Sequence, residues 1–391
     1  LPDKMRRGAS PYVWLALAAQ AAAWPGLSES SSDSSADPKS LHTVFCAECT
    51  TYFDWKSAGV FYSHRISKMP GKITRLLACS KEQRAKYPER GMQMGPTFVH
   101  ENFAKNPHNG EWSGSYNKPA AVMFWTQQAQ IDETFVLYID ADMLLRAPMD
   151  PVAMGVRRGM VVSEHVGYLE QGIRHHLVEN FVPAAAVPLA RAAGWYHIFH
   201  LEDLRTIAPR WLHYTEEMRT HPERYWAMNG SRPYQGQAKN IPTGDDYVKF
   251  GEAPWISEMY GYMFGAAEKG IDTTLTRGVV RYTDDGNARS YPGGPAIIHY
   301  GLHCHVNQYH FTKYDYGDFD VNGCHRNFFR VPQKPPSHQK LCAETINSLN
   351  DALCDFYRTR CPADARCSAP PTPSSAAPRA RMAPHACGAP P

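Results

Sequence analysis

Past a short apolar stretch near its start, this 391-residue chain has no run apolar enough to cross a bilayer, which takes roughly 20 residues. It has no block of like charge. Lys plus Arg number 41 and Asp plus Glu 38, a near balance that argues against a dedicated nucleic-acid binder. It has no internal repeat, which excludes solenoid and propeller architectures. Cys46-Ala47-Glu48-Cys49 has the spacing of a redox or zinc motif, but no second Cys pair lies nearby and Cys46 falls inside a predicted strand. A structural disulfide involving Cys49 is the simpler expectation.

What is present fits a lumenal protein. Met5-Arg6-Arg7 precedes the apolar stretch Tyr12 to Ala23, and Ala19-Gln20-Ala21 is a cleavage-like sequence. Residues 1–27 therefore read as a signal peptide, with a short anchor as the alternative. That choice leaves membrane attachment open. Ten Cys and the sequon Asn229-Gly230-Ser231 fit an oxidising compartment, the ER or Golgi lumen. Residues 28–40 are Ser/Asp-rich and read as a flexible linker. Residues 363–391 are Pro/Ala/Ser-rich and read as a disordered tail. The body between them, residues 41–362, is long enough for one large domain.

Within that body, strands and helices alternate. Leu41 to Ala47 and Ile73 to Cys79 read as strands. The spacing of Phe53, Ala58, Phe61 and Tyr62 predicts a helix over 52–67 between them. A second helix is expected over 119–130, with Pro119 in its first turn, leading into a strand from Phe135. Further strands are expected at 159–163, 279–282 and 296–299. Leu201 to Thr220 is helical but interrupted at Pro209. Ser257 can cap a helix over 258–269, closed by Gly270. Residues 229–254 are polar and punctuated by Gly and Pro, as expected of a surface insertion or a loop over a site. The alternation implies an α/β fold with a mostly parallel sheet covered on both faces.

The run Phe135-Val136-Leu137-Tyr138-Ile139-Asp140-Ala141-Asp142 is the main pointer to chemistry. In open α/β sheets ligands sit beyond the carboxyl ends of strands. Two carboxylates there need solvent, hydrogen bonds or a cation. A divalent metal carrying a diphosphate satisfies them, and Mn2+ also accepts an imidazole. His299, at the end of the apolar run Ile297-Ile298, is the best source of a third ligand. Lys313 can neutralise a diphosphate, and Lys118, at a helix start, favours an anionic ligand. His303, His305 and His310 read as a solvated surface or a His-rich transition-metal site. Trp255 offers a face to a sugar or peptide, and Glu258 is an acid in the first turn of a helix.

Several stretches in order resemble one family: His42-Thr43-Val44-Phe45, Tyr52-Phe53-Asp54-Trp55 after Cys49, Pro70-Gly71-Lys72-Ile73-Thr74-Arg75, Asn117-Lys118-Pro119, Asp140-Ala141-Asp142-Met143, His200-Leu201-Glu202-Asp203, Trp255 to Tyr262, and His299-Tyr300-Gly301-Leu302. Together they resemble the peptidyl serine α-galactosyltransferases of plants and green algae, with the hydroxyproline O-arabinosyltransferases as more distant relatives. The resemblance implies a GT-A-like fold, UDP-galactose as donor, Mn2+, retention of the α configuration, and hydroxyproline-rich, extensin-like acceptor proteins. It implies that Asp140 and Asp142 bind the metal and the nucleotide, that His299 completes the metal shell, and that Lys118 and Lys313 face the donor phosphates. It also marks Cys49, Cys79, Cys324, Cys342 and Cys361 as disulfide candidates with partners open.

The expected function is galactose transfer to serine hydroxyls. Retention allows a covalent intermediate on a carboxylate such as Glu258, or attack on the leaving-group face with Glu258 or Asp246 as stabiliser or acceptor contact. The alternatives are arabinose transfer to hydroxyproline and a non-catalytic lumenal glycopeptide-binding protein.

Overall fold

The computed structural model describes residues 40–228, 232–233, 243–284, 294–330 and 335–363. The expected signal peptide or anchor, the sequon Asn229 and nearly all of the expected linker and tail lie outside the described residues.

The chain opens as the periodicity predicts. Strand β1 (Leu41–Glu48) is buried along its whole length. Helix α1 (Thr51–Ile66) follows, and β2 (Lys72–Cys79) pairs with β1 in parallel. Strand β3 (Thr97–Glu101) extends the sheet beyond β2. Helix α2 (Asn117–Gln128) then leads into β4 (Phe135–Ile139), which lies on the other side of β1. All five residues of β4 are apolar and buried, as a central strand covered on both faces requires.

The far half of the sheet contains β6 (Met160–His165), β7 (Ala193–His200) and β8 (Asp272–Thr276), with the short β5 (Met143–Leu145) preceding them in sequence. The seven-stranded order is β8-β6-β7-β4-β1-β2-β3. Only β7 runs against the others, pairing antiparallel to both β4 and β6. The architecture is the α/β, mainly parallel arrangement that the alternation of elements implied. Strand β7 was not predicted, because Gly194 and a register shift against Ser163 and Glu164 break its alternation.

Helices α3 (Leu201–Thr220) and α4 (Ser257–Glu268) pack against each other on one face of the sheet. Gly261 and Gly265 face α3. A Cβ on Gly261 would lie 2.8 Å from the Trp211 carbonyl oxygen, and one on Gly265 would lie 3.0 Å from the Trp211 nitrogen. Glycine spaced by four therefore lets the two backbones close in, and the Trp211 indole donates to the Glu258 carbonyl at 2.6 Å. This contact helps fix the start of α4. The interruption expected at Pro209 does not occur. Pro209 lies on the exposed side of α3, and the apolar face packed on α4 outweighs the hydrogen bond it cannot donate. Ser257 does not cap α4 either. It is the first helical residue, and its hydroxyl lies 3.4 Å from that of Ser115.

A second, three-stranded sheet is formed by β5, β9 (Val280–Tyr282) and β10 (Ile297–His299). Helix α5 (Lys340–Arg360) covers α1 from outside. It was not among the predicted elements, although Leu349, Leu353 and Phe356 share one buried face. Disulfides join Cys49 to Cys79, Cys304 to Cys342 and Cys324 to Cys361. All five expected cysteines are thus bonded, and Cys49 pairs with Cys79 rather than with Cys46. The Cys46 thiol is buried and donates to the Asn117 carbonyl. Among the described residues no helix is long and apolar enough to cross a membrane.

Candidate active site

Strand β4 ends at Ile139, and the turn that follows places Asp140 and Asp142 beyond the carboxyl edge of the sheet. The chain then enters β5, which pairs antiparallel with β10. The register sets Met143 opposite His299, and Tyr300 donates its N–H to the Asp142 carbonyl at 3.0 Å. This pairing brings His299 to the two carboxylates. One ligand atom each from Asp140, Asp142 and His299 lies within 4.8 Å of the others, and this is the one such grouping among the described residues.

Asp142 and His299 are buried, whereas Asp140 is partly exposed. The Lys313 ammonium contacts one Asp142 oxygen, and His299 Nε2 lies 3.4 Å from the other. Burial opposes the charge on Asp142, but Lys313 and then His299 overcome it and hold the carboxyl well below the usual range. The second ring nitrogen of His299, Nδ1, is buried with no hydrogen-bond partner among the described residues. Tyr282 stacks on the imidazole at 4.9 Å, and the Trp195 ring meets both edge-on. Two ionised oxygen donors and an imidazole with an unsatisfied buried nitrogen fit a divalent cation of the Mn2+ type.

Lys118 lies at the start of α2, which Asn117 anchors. The Asn117 side-chain oxygen accepts the Phe103 N–H at 2.6 Å, and its amide donates to Glu48 at 2.8 Å. Lys118 Nζ sits 2.9 Å from Asp140 Oδ1 and 2.8 Å from Glu258 Oε1. Burial disfavours its charge, yet Asp140 and Glu258 together raise its pKa well above the lysine norm. Burial pushes the Glu258 carboxyl up, against the pull of Lys118. Both lysines therefore neutralise carboxylates of the site itself.

The cleft around these groups holds about 560 Å3 of empty space, counted to its open mouth. Lys118, Asp140, Asp142, Trp255, Glu258, His299 and Lys313, seven residues singled out in the sequence, all line it. Asp246 does not: it is exposed and outside the lining. Its neighbour Asp245 is the buried one. Asp245 Oδ2 accepts the N–H groups of Trp255 and Ile256 at 2.7 and 3.1 Å, fixing the entry to α4 and the placement of Trp255.

Sequence reasoning missed Tyr168, Trp195, Tyr247, Met259 and Tyr282, which also line the cleft, as do Ile256, Gly301 and Leu302. Trp195 has a left-handed backbone conformation, φ 67°, at the irregularity between β6 and β7. A bulge re-aims a side chain in this way, at a cost a tryptophan rarely bears elsewhere. The Trp195 indole donates to the Tyr168 hydroxyl at 3.3 Å, and Tyr168 donates to the Met259 sulfur at 3.2 Å. Local signals for such a bulge are faint; Gly194 beside paired aromatics is the only one in the sequence.

A model of the hydroxyproline O-arabinosyltransferase family N-terminal domain matches residues 41–230. The peptidyl serine alpha-galactosyltransferase of Arabidopsis thaliana is 34% identical over 330 residues, covering 81% of this chain and 38% of that protein. That of Chlamydomonas reinhardtii is 29% identical over 372 residues, covering 82% and 46%. Over most of its length the chain is thus similar to peptidyl serine alpha-galactosyltransferases, and its first half matches the hydroxyproline O-arabinosyltransferase family model. The chain spans less than half the length of either of these two relatives. The family model stops before Glu258 and His299, so ten of the fifteen residues lining the cleft come from sequence beyond it. Among solved structures, the WbbM bifunctional glycosyltransferase in its apo form is similar at 9% identity and a TM-score of 0.41, over 82% of this chain and 50% of that one.

Proposed function

We propose that this chain is a Mn2+-dependent retaining transferase that moves galactose from UDP-galactose to serine hydroxyls of hydroxyproline-rich, extensin-like proteins in the ER or Golgi lumen. The observation that carries it is the meeting of Asp140, Asp142 and His299 at the carboxyl edge of the sheet. The galactosyl and serine assignments rest on the two relatives, whose names say galactose and peptidyl serine. The three disulfides support an oxidising compartment.

In this reading Asp140, Asp142 and His299 hold the cation. When bound, it supplies Lewis-acid stabilisation of the leaving diphosphate. Lys313 keeps Asp142 ionised and lends positive charge on the diphosphate side. Lys118 ties Asp140 to Glu258, so the residue that would hold the metal and a second carboxylate of the cleft share one counter-ion. Glu258, fixed by α4 and lining the cleft, is the stabiliser of the reacting sugar or the contact to the acceptor. We assign that part to Glu258 and not to Asp246, which is outside the lining. Trp255 and the Trp195–Tyr282 pair offer aromatic faces to sugar or peptide. Attack on the leaving-group face requires only that Glu258 stabilise charge, and it fits a carboxylate already bonded to Lys118 better than covalent catalysis does.

The test is UDP release from UDP-galactose with a Ser-hydroxyproline peptide, with and without Mn2+, using Asp142→Asn as control. Mn2+-dependent turnover that the variant loses supports the reading. The match to the arabinosyltransferase family model favours a second reading, arabinose transfer to hydroxyproline. Turnover with UDP-arabinose and none with UDP-galactose would move the assignment there. Absence of turnover and binding with every UDP-sugar would leave a glycopeptide-binding protein.

A further inference from the structure

Outside the cleft, the two-stranded ribbon of β11 (Cys304–Val306) and β12 (Tyr309–Phe311) carries three histidines on one face. Successive strand residues point to opposite sides. Cys304, Val306 and Phe311 turn inward and are fully buried, so His303, His305 and His310 turn out to solvent. His305 and His310 are direct cross-strand partners. The three ring centres are 4.9, 5.6 and 5.7 Å apart. A metal–nitrogen bond of about 2.1 Å places an imidazole centre about 3.2 Å from the ion, so rings sharing one tetrahedral ion lie about 5.2 Å apart. The observed separations bracket that figure, although the three rings do not yet bring one nitrogen each within 4.8 Å of the others, so an ion would have to reorient them.

The ribbon is also held in place. The Cys304–Cys342 disulfide ties its first strand to α5, and the Asn307 N–H in its turn donates to the Gln339 side chain at 2.8 Å. Little backbone ordering then remains to oppose binding. We propose that His303, His305 and His310 form a site for one borderline transition-metal ion of the Zn2+ class, with a fourth position open to water. All-imidazole ligation selects such ions over Mn2+ and Mg2+, which the oxygen-rich cluster in the cleft suits. The segment between Leu302 and Lys313, both lining the cleft, would then be pinned at its middle by the ion.

The test is calorimetric titration of the EDTA-stripped full chain with Zn2+, in wild type and in Asp142→Asn to silence the carboxylate cluster. One equivalent should bind in the Asp142→Asn background. Adding His305→Ala and His310→Ala should weaken that binding about 100-fold or abolish it, while melting in EDTA stays unchanged. Electron spin resonance of the Cu2+-loaded Asp142→Asn protein, with the histidines intact, should show three coordinated nitrogens. Equal Zn2+ affinity with and without the histidine substitutions, absence of Zn2+ binding, or fewer than three nitrogens on Cu2+ would each overturn the proposal.

Discussion

Lys118 and Glu258 meet at 2.8 Å across 140 residues of sequence, each in the first turn of its helix, and the same ammonium reaches Asp140 at 2.9 Å. One cation therefore couples the edge of β4 to the start of α4. Lys118→Met leaves two carboxylates facing each other without their counter-ion. The expected cost is about 3–5 kcal/mol in urea unfolding, with loss of donor turnover. Lys118→Met combined with Glu258→Leu should recover much of the stability but none of the activity. Recovery of turnover in the double variant would remove both residues from the proposed chemistry.

Gly301 leaves room for His299. A Cβ there would meet His299 Nε2 at 2.6 Å. The ring cannot retreat easily, because Tyr282 stacks on it and Asp142 lies beyond. Gly301→Ala should lower Mn2+ affinity by about 10-fold or more, a loss of the size seen when a ligand's supports are disturbed, with only a small change in melting temperature. Calorimetric titration with Mn2+ checks this, and unchanged affinity would remove His299 from the metal set.

Tyr282→Leu tests the other support of the same ring. The leucine keeps an apolar wall but loses the stacked face. A several-fold rise in the Mn2+ concentration needed for half-maximal UDP release is expected, at unchanged UDP-galactose saturation with Mn2+ in excess.

Asp245 gives the fold a pH dependence of unusual sign. Burial raises its carboxyl from 3.8 to about 6, against the amides of Ile256 and Trp255. The folded protein thus keeps a proton that the unfolded chain releases near pH 4. This contribution to stability is complete below pH 4 and is lost as pH rises through about 6, by up to about 1.4 kcal/mol per pH unit. Urea midpoints of the wild type should therefore fall between pH 4 and 6 relative to Asp245→Asn, in which this contribution is absent. A midpoint difference that does not change with pH would refute this.

The Cys49–Cys79 disulfide fastens the carboxyl ends of β1 and β2 and lies outside the cleft lining. Replacing both residues by Ser should cost about 2–4 kcal/mol of stability while leaving turnover at low temperature close to wild type. A selective loss of turnover with stability intact would reopen a redox role for Cys46 and Cys49.

Local pattern was enough for the opening β1-α1-β2 unit, for α2 with Pro119 in its first turn, and for Asp140 and Asp142 at the end of β4. These depend on periodicity and on chain order within a few residues, which the sequence displays directly. The placement of His299 depended on the pairing of β10 with β5, 156 residues apart at Met143 and His299. Lys313 reaches Asp142 across 171 residues. No local period encodes such contacts, because they arise from register between strands that are not neighbours in the chain. The difference between Asp245 and Asp246 was also beyond the sequence: adjacent carboxylates look alike until the fold buries one against two backbone amides and leaves the other exposed. The sequence by itself determined the α/β alternation and the Asp-x-Asp at the sheet edge, because burial and chain order suffice for both. Only the tertiary structure decided that Lys118 serves Asp140 and Glu258 together, that Trp195 is turned into the cleft by a bulge, and which histidines share a face, because each requires distant backbone segments brought to a fixed separation.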